Sequence, residues 1–185
     1  MLRVVLNGKE YEVQEGKKLG DFFKEVGIEG ALGAKLGGII IDLQTPIRKS
    51  GELVPIYKED PESLEIMRHS LSHIMAQALK EIYGREVVHL GVGPTTEEGF
   101  YYDVEVEGTR IREEDLPKIE QKMKEIIERN YPILRRELDR ESAVKLFEQL
   151  KEHYKLDIIR RIDPHDVISV YEQGDFIDRY NIVRV

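Results

Sequence analysis

The chain has 185 residues, 41% of them hydrophobic, which is enough for two small domains that each have a core. It contains no cysteine, which excludes disulfides, thiolate nucleophiles and cysteine-based zinc sites. The formal net charge of −8 lacks the basic excess that is typical of nucleic-acid binders, and no apolar run has the length of a membrane span. We therefore expect a cytoplasmic protein whose contacts with any nucleic acid are few and local.

The first 58 residues combine short strands with one helix. Asn7-Gly8 lies between two β-prone runs and is a strong hairpin signal. The segment Leu19–Val26 has apolar residues on one side and is followed by Gly27, which predicts a short helix ended by glycine. Further strands are predicted over 31–36, 39–43 and 53–57. A mixed sheet crossed by one helix predicts a ubiquitin-like β-grasp domain over residues 1–58.

The remainder, residues 62–185, predicts a second domain in which helices and strands alternate. Apolar residues at helical spacing predict helices over 60–83, 113–130 and 139–154. Alternating and β-branched runs predict strands over 87–92, 99–107, 131–138, 167–171 and from 176 onward. The predicted fold class is therefore α+β, with an antiparallel sheet and packed helices in the second domain.

Two histidines in the first of these helices draw attention. His69 and His73 are four residues apart, so they share one helix face. Helical geometry places them opposite an apolar stripe centred on Leu71, and we expect them outside the core contacts of the helix, facing water or a cleft. Two solvated histidines are the plain interpretation, and a polar catalytic wall or a metal half-site is the sharper one. A zinc ion needs at least one more ligand, which the sequence does not identify, so no metal site is predicted.

Four segments carry a resemblance that covers nearly the whole chain. They are RHSLSHIMAQAL (68–79), GVGPTTEEGFYYDVE (91–105), EEDLPKIEQKMKEII (113–127) and VYEQGDFID (170–178). In this order they resemble the second N-terminal domain of bacterial-type threonyl-tRNA synthetases, and residues 1–58 resemble the TGS module that precedes it. The resemblance implies an editing domain that removes serine mistakenly attached to threonine tRNA.

The resemblance also implies the site residues. It places the catalytic groups at His69, His73, Lys155 and Asp178, and a substrate-binding tyrosine at Tyr102. The family continues past its aspartate with a cysteine and a histidine, whose places are taken here by Tyr180 and Arg184. This departure removes the Cys/His half of the site and raises the alternative that the chain is inactive as a hydrolase.

The implied partner is tRNA, bound through its aminoacylated 3′ end. Local basic pairs predict phosphate contacts, at Arg135, Arg136, Arg160 and Arg161. No cofactor is expected in this chain, since ATP and zinc would belong to a C-terminal catalytic body that is missing from it, and the oligomeric state stays undetermined. A second interpretation is a non-catalytic, RNA-binding or regulatory module of a nucleoside-kinase-like (uridine-kinase-type) fusion protein, which resembles the same pair of domains.

Overall fold

The computed structural model describes residues 1–91, 93, 95–164 and 166–179, with residues 178 and 179 described by their backbone alone. The chain divides into two compact units, Met1–Arg68 and His69–Val185. Helices and mostly antiparallel sheets make up both units, which confirms the predicted α+β class. The domain boundaries at 1–58 and 62–185 stay a prediction, because helix α2 (Ser63–Tyr83) runs through this division without a break.

The first unit is a five-stranded sheet with one helix. Its elements before α2 are β1 (Leu2–Leu6), β2 (Lys9–Val13), α1 (Leu19–Val26), β3 (Gly33–Leu36), β4 (Ile39–Asp42) and β5 (Gly51–Ile56). The strand order is β2-β1-β5-β3-β4, in which β1 and β5 are parallel and the other pairs are antiparallel. This is the β-grasp arrangement that the sequence predicts.

Local chemistry explains the elements of this unit. Asn7 and Gly8 both have positive φ, 51° and 76°, as a two-residue hairpin turn requires. Helix α1 ends at Gly27, which adopts the left-handed conformation with φ 76°. The helix buries Leu19, Phe22 and Phe23 in a core cluster that also contains residues of β1, β2, β3 and β5.

The described residues of the second unit form two antiparallel sheets and four further helical segments. Its elements after α2 are β6 (Val88–Leu90), β7 (Val104–Val106), a 3-10 turn (Glu113–Asp115), α3 (Leu116–Arg129), β8 (Ile133–Leu138), α4 (Arg140–Gln149), α5 (His153–Arg161), β9 (Ile168–Gln173) and β10 (Phe176–Arg179). One sheet has the order β10-β9-β8, and β6 pairs with β7 in the other.

The three-stranded sheet lies between helices. Ile168 and Val170 of β9 pack in one core cluster with Phe147 of α4 and Ile159 of α5. Phe176 of β10 belongs to a different cluster, which includes residues of α2, β6 and β7. Strand β9 is buried along most of its length. No helix within the described residues combines the length and the apolar character that a bilayer crossing demands.

The prediction of a single helix over 139–154 was wrong. Helix α4 begins after Asp139, whose carboxylate accepts a hydrogen bond from Ser142 N at 2.8 Å, and it ends at Gln149. Lys151 then adopts a positive φ of 57°, and α5 begins at His153. The break carries no glycine or proline, so its sequence lacks the usual signal for a helix end.

The prediction of which residues α2 buries was also wrong in part. Leu64 and Met67 of the apolar stripe are 46% and 44% exposed, whereas His73 is 6% exposed. The histidines were expected to face water or a cleft formed by another element, and the structure places Tyr171 of β9 against the His73 ring on this face of the helix. Periodicity within one helix could not reveal that another element covers its polar face.

Candidate functional site

His69 and His73 form a direct side-chain contact. Their Nε2 atoms are 2.8 Å apart, a hydrogen bond in which one ring donates and the other accepts. The ring planes are nearly perpendicular at 73°, with centroids 4.6 Å apart. At most one of the two facing nitrogens can carry the proton of this bond, so the pair keeps one unprotonated nitrogen.

Tyr171 of β9 contacts the rings of both histidines. Its ring stacks on His73 with a centroid distance of 5.7 Å and an interplanar angle of 22°. It also meets the ring of His69 edge-on at 6.3 Å. Sequence analysis assigned Tyr171 no role, although it is the second residue of the segment 170–178 that carries the family resemblance.

Lys155 lies inside α5 and is buried, with 4% of its surface exposed. Its ammonium donates hydrogen bonds to the carbonyl oxygen of Gly91 and to the hydroxyl of Tyr102, both at 3.1 Å. The ammonium also lies 5.3 Å from the centroid of the Tyr102 ring. Lys155 and Tyr102 are 53 positions apart in the sequence, and the family resemblance assigned both to the site. The structure brings them into contact.

Two glycines allow this close packing. A side chain at Gly93 would place its Cβ 2.8 Å from Cδ2 of Tyr102 and 2.9 Å from the carbonyl oxygen of Tyr101. A side chain at Gly91 would place its Cβ 2.9 Å from Cβ of Asp103. Gly91 N also donates to Asp103 O at 2.8 Å, which fixes the carbonyl that Lys155 binds.

One apolar cluster connects Tyr102 to α2, the helix that carries the histidine pair. Tyr102 packs against the apolar cluster that contains Ala76 and Phe176. Ala76 is three residues after His73 on α2. The backbone of Asp178 pairs in register with Tyr171. The side chain of Asp178, and Tyr180 and Arg184 altogether, lie outside the described residues.

The four arginines predicted to bind tRNA occupy different environments. Arg135 and Arg136 are neighbours on β8 and so point to opposite faces of the sheet. The Arg135 side chain is 12% exposed and is paired with Glu137 at 2.6 Å, while Arg136 is 50% exposed and is paired with Glu172. Arg160 pairs with Asp157 at 3.1 Å on the surface of α5.

Arg161 lines an open cleft of about 600 Å³ whose lining includes Gly91, the residue whose carbonyl Lys155 binds. The cleft is lined by Gly91, Asp103, Val104, Glu105, Tyr154, Asp157, Ile158 and Arg161. The Tyr154 hydroxyl donates a hydrogen bond to the Glu105 carboxylate, and this bond raises the pKa of Tyr154. Three carboxylates against one guanidinium make this cleft acidic, which disfavours the binding of a phosphate there.

Within the described part of the chain, no three His, Cys, Asp or Glu side chains come close enough together to hold a metal ion. The described side chains of the candidate site offer imidazole, amine and phenol groups. A histidine pair that keeps an unprotonated nitrogen can take a proton from water, and a buried ammonium can stabilise negative charge.

The fold and the site define a class: an α+β protein with a β-grasp unit and a second unit in which a histidine pair and a buried lysine face a small sheet.

The proteins that the chain is similar to are threonine–tRNA ligases. The ligase of Aquifex aeolicus (strain VF5) is 71% identical over 177 residues, 96% of this chain and 28% of that protein. The ligase of Thermotoga maritima is 46% identical over 172 residues, 93% of this chain and 26% of that protein.

A third relative, from Geobacillus kaustophilus, carries the same name and is 47% identical over 148 residues, 80% of this chain and 22% of that protein. The chain is thus a relative of the threonine–tRNA ligases along most of its own length, and it spans less than a third of theirs. No family model matches the chain. These relatives do not favour the nucleoside-kinase-type alternative.

Proposed function

We propose that this chain is the editing part of a threonine–tRNA ligase and hydrolyses the ester that joins serine to the 3′-terminal ribose of threonine tRNA. Serine lacks one methyl group of threonine, and a missing methyl group in a pocket gives only about 1–3 kcal/mol of discrimination. A ligase for threonine therefore needs a second, hydrolytic site. The names of the relatives support the assignment to a threonine–tRNA ligase.

The observation that carries the proposal is the hydrogen bond between His69 and His73 at a buried position. In the proposed reaction, the hydrogen bond between the two rings opens, and the nitrogen that accepted it takes a proton from water as the water oxygen attacks the ester carbonyl. The carbon–oxygen bond to the ribose then breaks, and the ribose oxygen takes that proton back from the histidine and leaves as a hydroxyl group. The stack on Tyr171 holds the His73 ring in a fixed orientation for this transfer.

Lys155 and Tyr102 supply the complementary part of the site. The Lys155 ammonium can stabilise the negative charge that develops on the carbonyl oxygen, in a position where burial strengthens the interaction. Tyr102, which accepts a hydrogen bond from Lys155, is the proposed contact for substrate. Asp178, whose backbone lies opposite Tyr171, is the proposed partner of the α-amino group of serine.

The proposed partner is tRNA, and the remaining contacts would be made with its phosphates. Exposure favours Arg136 and Arg160 for this role over Arg135, whose side chain is only 12% exposed. Arg161 is disfavoured by the carboxylates around it. We place ATP and zinc, which the aminoacylation reaction would require, in a catalytic domain outside this chain, and we propose a cytoplasmic location.

The test is serine release from threonine tRNA charged with labelled serine, measured with the purified chain and two variants. His73→Ala removes the buried member of the pair, and His89→Ala removes a histidine of similar burial, 8% exposed, that pairs with Glu107 instead. We expect release by the wild-type chain and by His89→Ala, and loss of about 10²–10⁴-fold in His73→Ala. Release at the uncatalysed rate by the wild type would refute the proposal and leave a module that binds tRNA without hydrolysis.

A further inference from the structure

A buried ion pair connects the elements that carry the candidate site. Lys80 of α2 pairs with Oε1 of Glu152, and the two side chains are 8% and 4% exposed. The other carboxylate oxygen, Oε2, accepts a long hydrogen bond of 3.5 Å from Leu90 N of β6. One carboxylate therefore contacts the helix of the histidine pair and the strand that leads into Gly91.

Backbone hydrogen bonds fix Glu152 at the start of a third element, helix α5. Its N–H donates to Phe147 O of α4 at 2.9 Å, and its carbonyl accepts from Leu156 N of α5 at 3.1 Å. Glu152 is the N-cap residue of α5, yet its side chain makes no capping hydrogen bond with this helix. An acidic residue at this position ordinarily stabilises its own helix, so the direction of this carboxylate toward α2 and β6 points to a different role.

We propose that Glu152, held by Lys80, is a positioning residue of the candidate editing site. It fixes the first turn of α5 against α2 and β6, so that Lys155, three residues later, meets the Gly91 carbonyl and the Tyr102 hydroxyl. A buried ion pair is often no more stabilising than an apolar pair of similar size. Its value here is the geometry that it imposes on Lys155. The catalytic part of this inference rests on the proposed function.

The experiment separates positioning from stability. Lys80→Met and Glu152→Leu each leave one buried charge without its partner, and we expect both single variants to unfold at lower urea concentration than the wild type. The double variant Lys80→Met/Glu152→Leu removes both charges, and we expect its urea midpoint to return to that of the wild type. The matched control is Lys145→Met/Glu141→Leu, which removes the same residue types from an exposed pair on α4.

Two readouts follow the position of Lys155. In ¹⁵N-lysine-labelled protein, the ammonium signal assigned by Lys155→Met should shift in the double variant and stay in place in the control. Serine release at saturating tRNA should fall at least about tenfold in the double variant, with KM within about twofold of the wild-type value. Glu152→Gln keeps an oxygen for Leu90 N but leaves Lys80 without its counter-charge, so we expect it to unfold at lower urea concentration than the wild type. Measured where it is still folded, it should show the same shift and loss.

The outcomes for this inference and for the proposed function are distinct. A wild-type chain that releases no serine refutes the proposed function, while the Lys155 ammonium signal still decides the positioning role. A stable double variant, or a folded Glu152→Gln, that keeps both the wild-type ammonium signal and the wild-type release would overturn the inference. A shifted signal in the exposed control pair would overturn it as well.

Discussion

The ring of Tyr171 stacks on the ring of His73, with centroids 5.7 Å apart and planes inclined by 22°. His73 in turn contacts Nε2 of His69 at 2.8 Å, so the strand β9 determines how the histidines of α2 face each other. This relationship makes the histidine pair part of a tertiary site, whereas two histidines one turn apart on a helix would otherwise turn toward solvent.

Replacing Tyr171 tests whether this stack orients the pair. Tyr171→Leu should disturb the ring resonances of His69 and His73 in ¹⁵N-histidine NMR spectra and should lower the free energy of unfolding by about 2 kcal/mol. Tyr171→Phe keeps the ring and should leave the histidine resonances nearly unchanged. Equal spectra for the two variants would contradict an orienting role for the stack.

Gly93 is predicted to be required for the position of Tyr102. The Cβ of Gly93→Ala would come within 2.8 Å of the Tyr102 ring, and the backbone carbonyl on its other side leaves no room to move away. We expect serine release to fall at least about tenfold as the Tyr102 hydroxyl leaves Lys155. Gly99→Ala is the matched control, because its Cβ meets nothing within 4 Å. A loss of the same size in both variants would show that the effect is not specific to Tyr102.

The sequence predicts those parts of the fold that depend on local signals. The turn at Asn7-Gly8, the helix Leu19–Val26 and the antiparallel strands Ile168–Gln173 and Phe176–Arg179 follow from turn chemistry and periodicity, and the structure confirms them. The end of α2 before Gly84 was predicted in the same way. Each of these features is decided by residues that are close together along the chain.

The features that the sequence could not predict depend on contacts between distant segments. The burial of His73 involves β9, nearly 100 residues later, so its helical period could place it only outside the apolar stripe, facing water or a cleft. The predicted helix over 139–154 left Lys155 just past its end. In the structure the chain breaks at Lys151 and starts a new helix, α5, which contains Lys155. Its contact with Tyr102 joins two segments that no local pattern connects, and only the family resemblance placed both in one site.

The break between α4 and α5 gives a prediction about stability. Lys151 has a φ of 57°, a conformation that costs a residue with a Cβ roughly 1 kcal/mol relative to glycine. Lys151→Gly should therefore raise the free energy of unfolding by about 1 kcal/mol above that of Lys151→Ala. Both variants lose the exposed ion pair with Glu86, so their difference in urea denaturation isolates the backbone effect. A less stable glycine variant would contradict this explanation of the break.

Glu81 and Arg129 connect α2 to α3 and should make stability depend on pH. The Arg129 guanidinium donates to both carboxylate oxygens, at 2.6 Å and 2.8 Å, and lowers the pKa of Glu81. A lowered pKa in the folded state contributes stability above the ordinary glutamate pKa of about 4.3, and this contribution is lost as the pH falls through the folded-state value. Glu81→Gln should thus cost about 1 kcal/mol at neutral pH, since the pair is partly exposed, and less in acid.

Urea denaturation from pH 7 to pH 3 checks this dependence. The difference in the free energy of unfolding between the wild type and Glu81→Gln should be constant near neutral pH and should shrink at the acid end. Arg129→Gln should give a similar difference, and the double variant should lose less than the sum of the two. A difference that does not change with pH would contradict the pairing as the source of the shift.

The most direct measurement of the central claim compares two substrates in single-turnover experiments with an excess of the wild-type chain. One is threonine tRNA charged with serine, and the other is the same tRNA charged with threonine. We predict that serine is released well above the uncatalysed rate and that threonine is released much more slowly. Equal rates for the two esters, or release of both at the uncatalysed rate, would contradict an editing function.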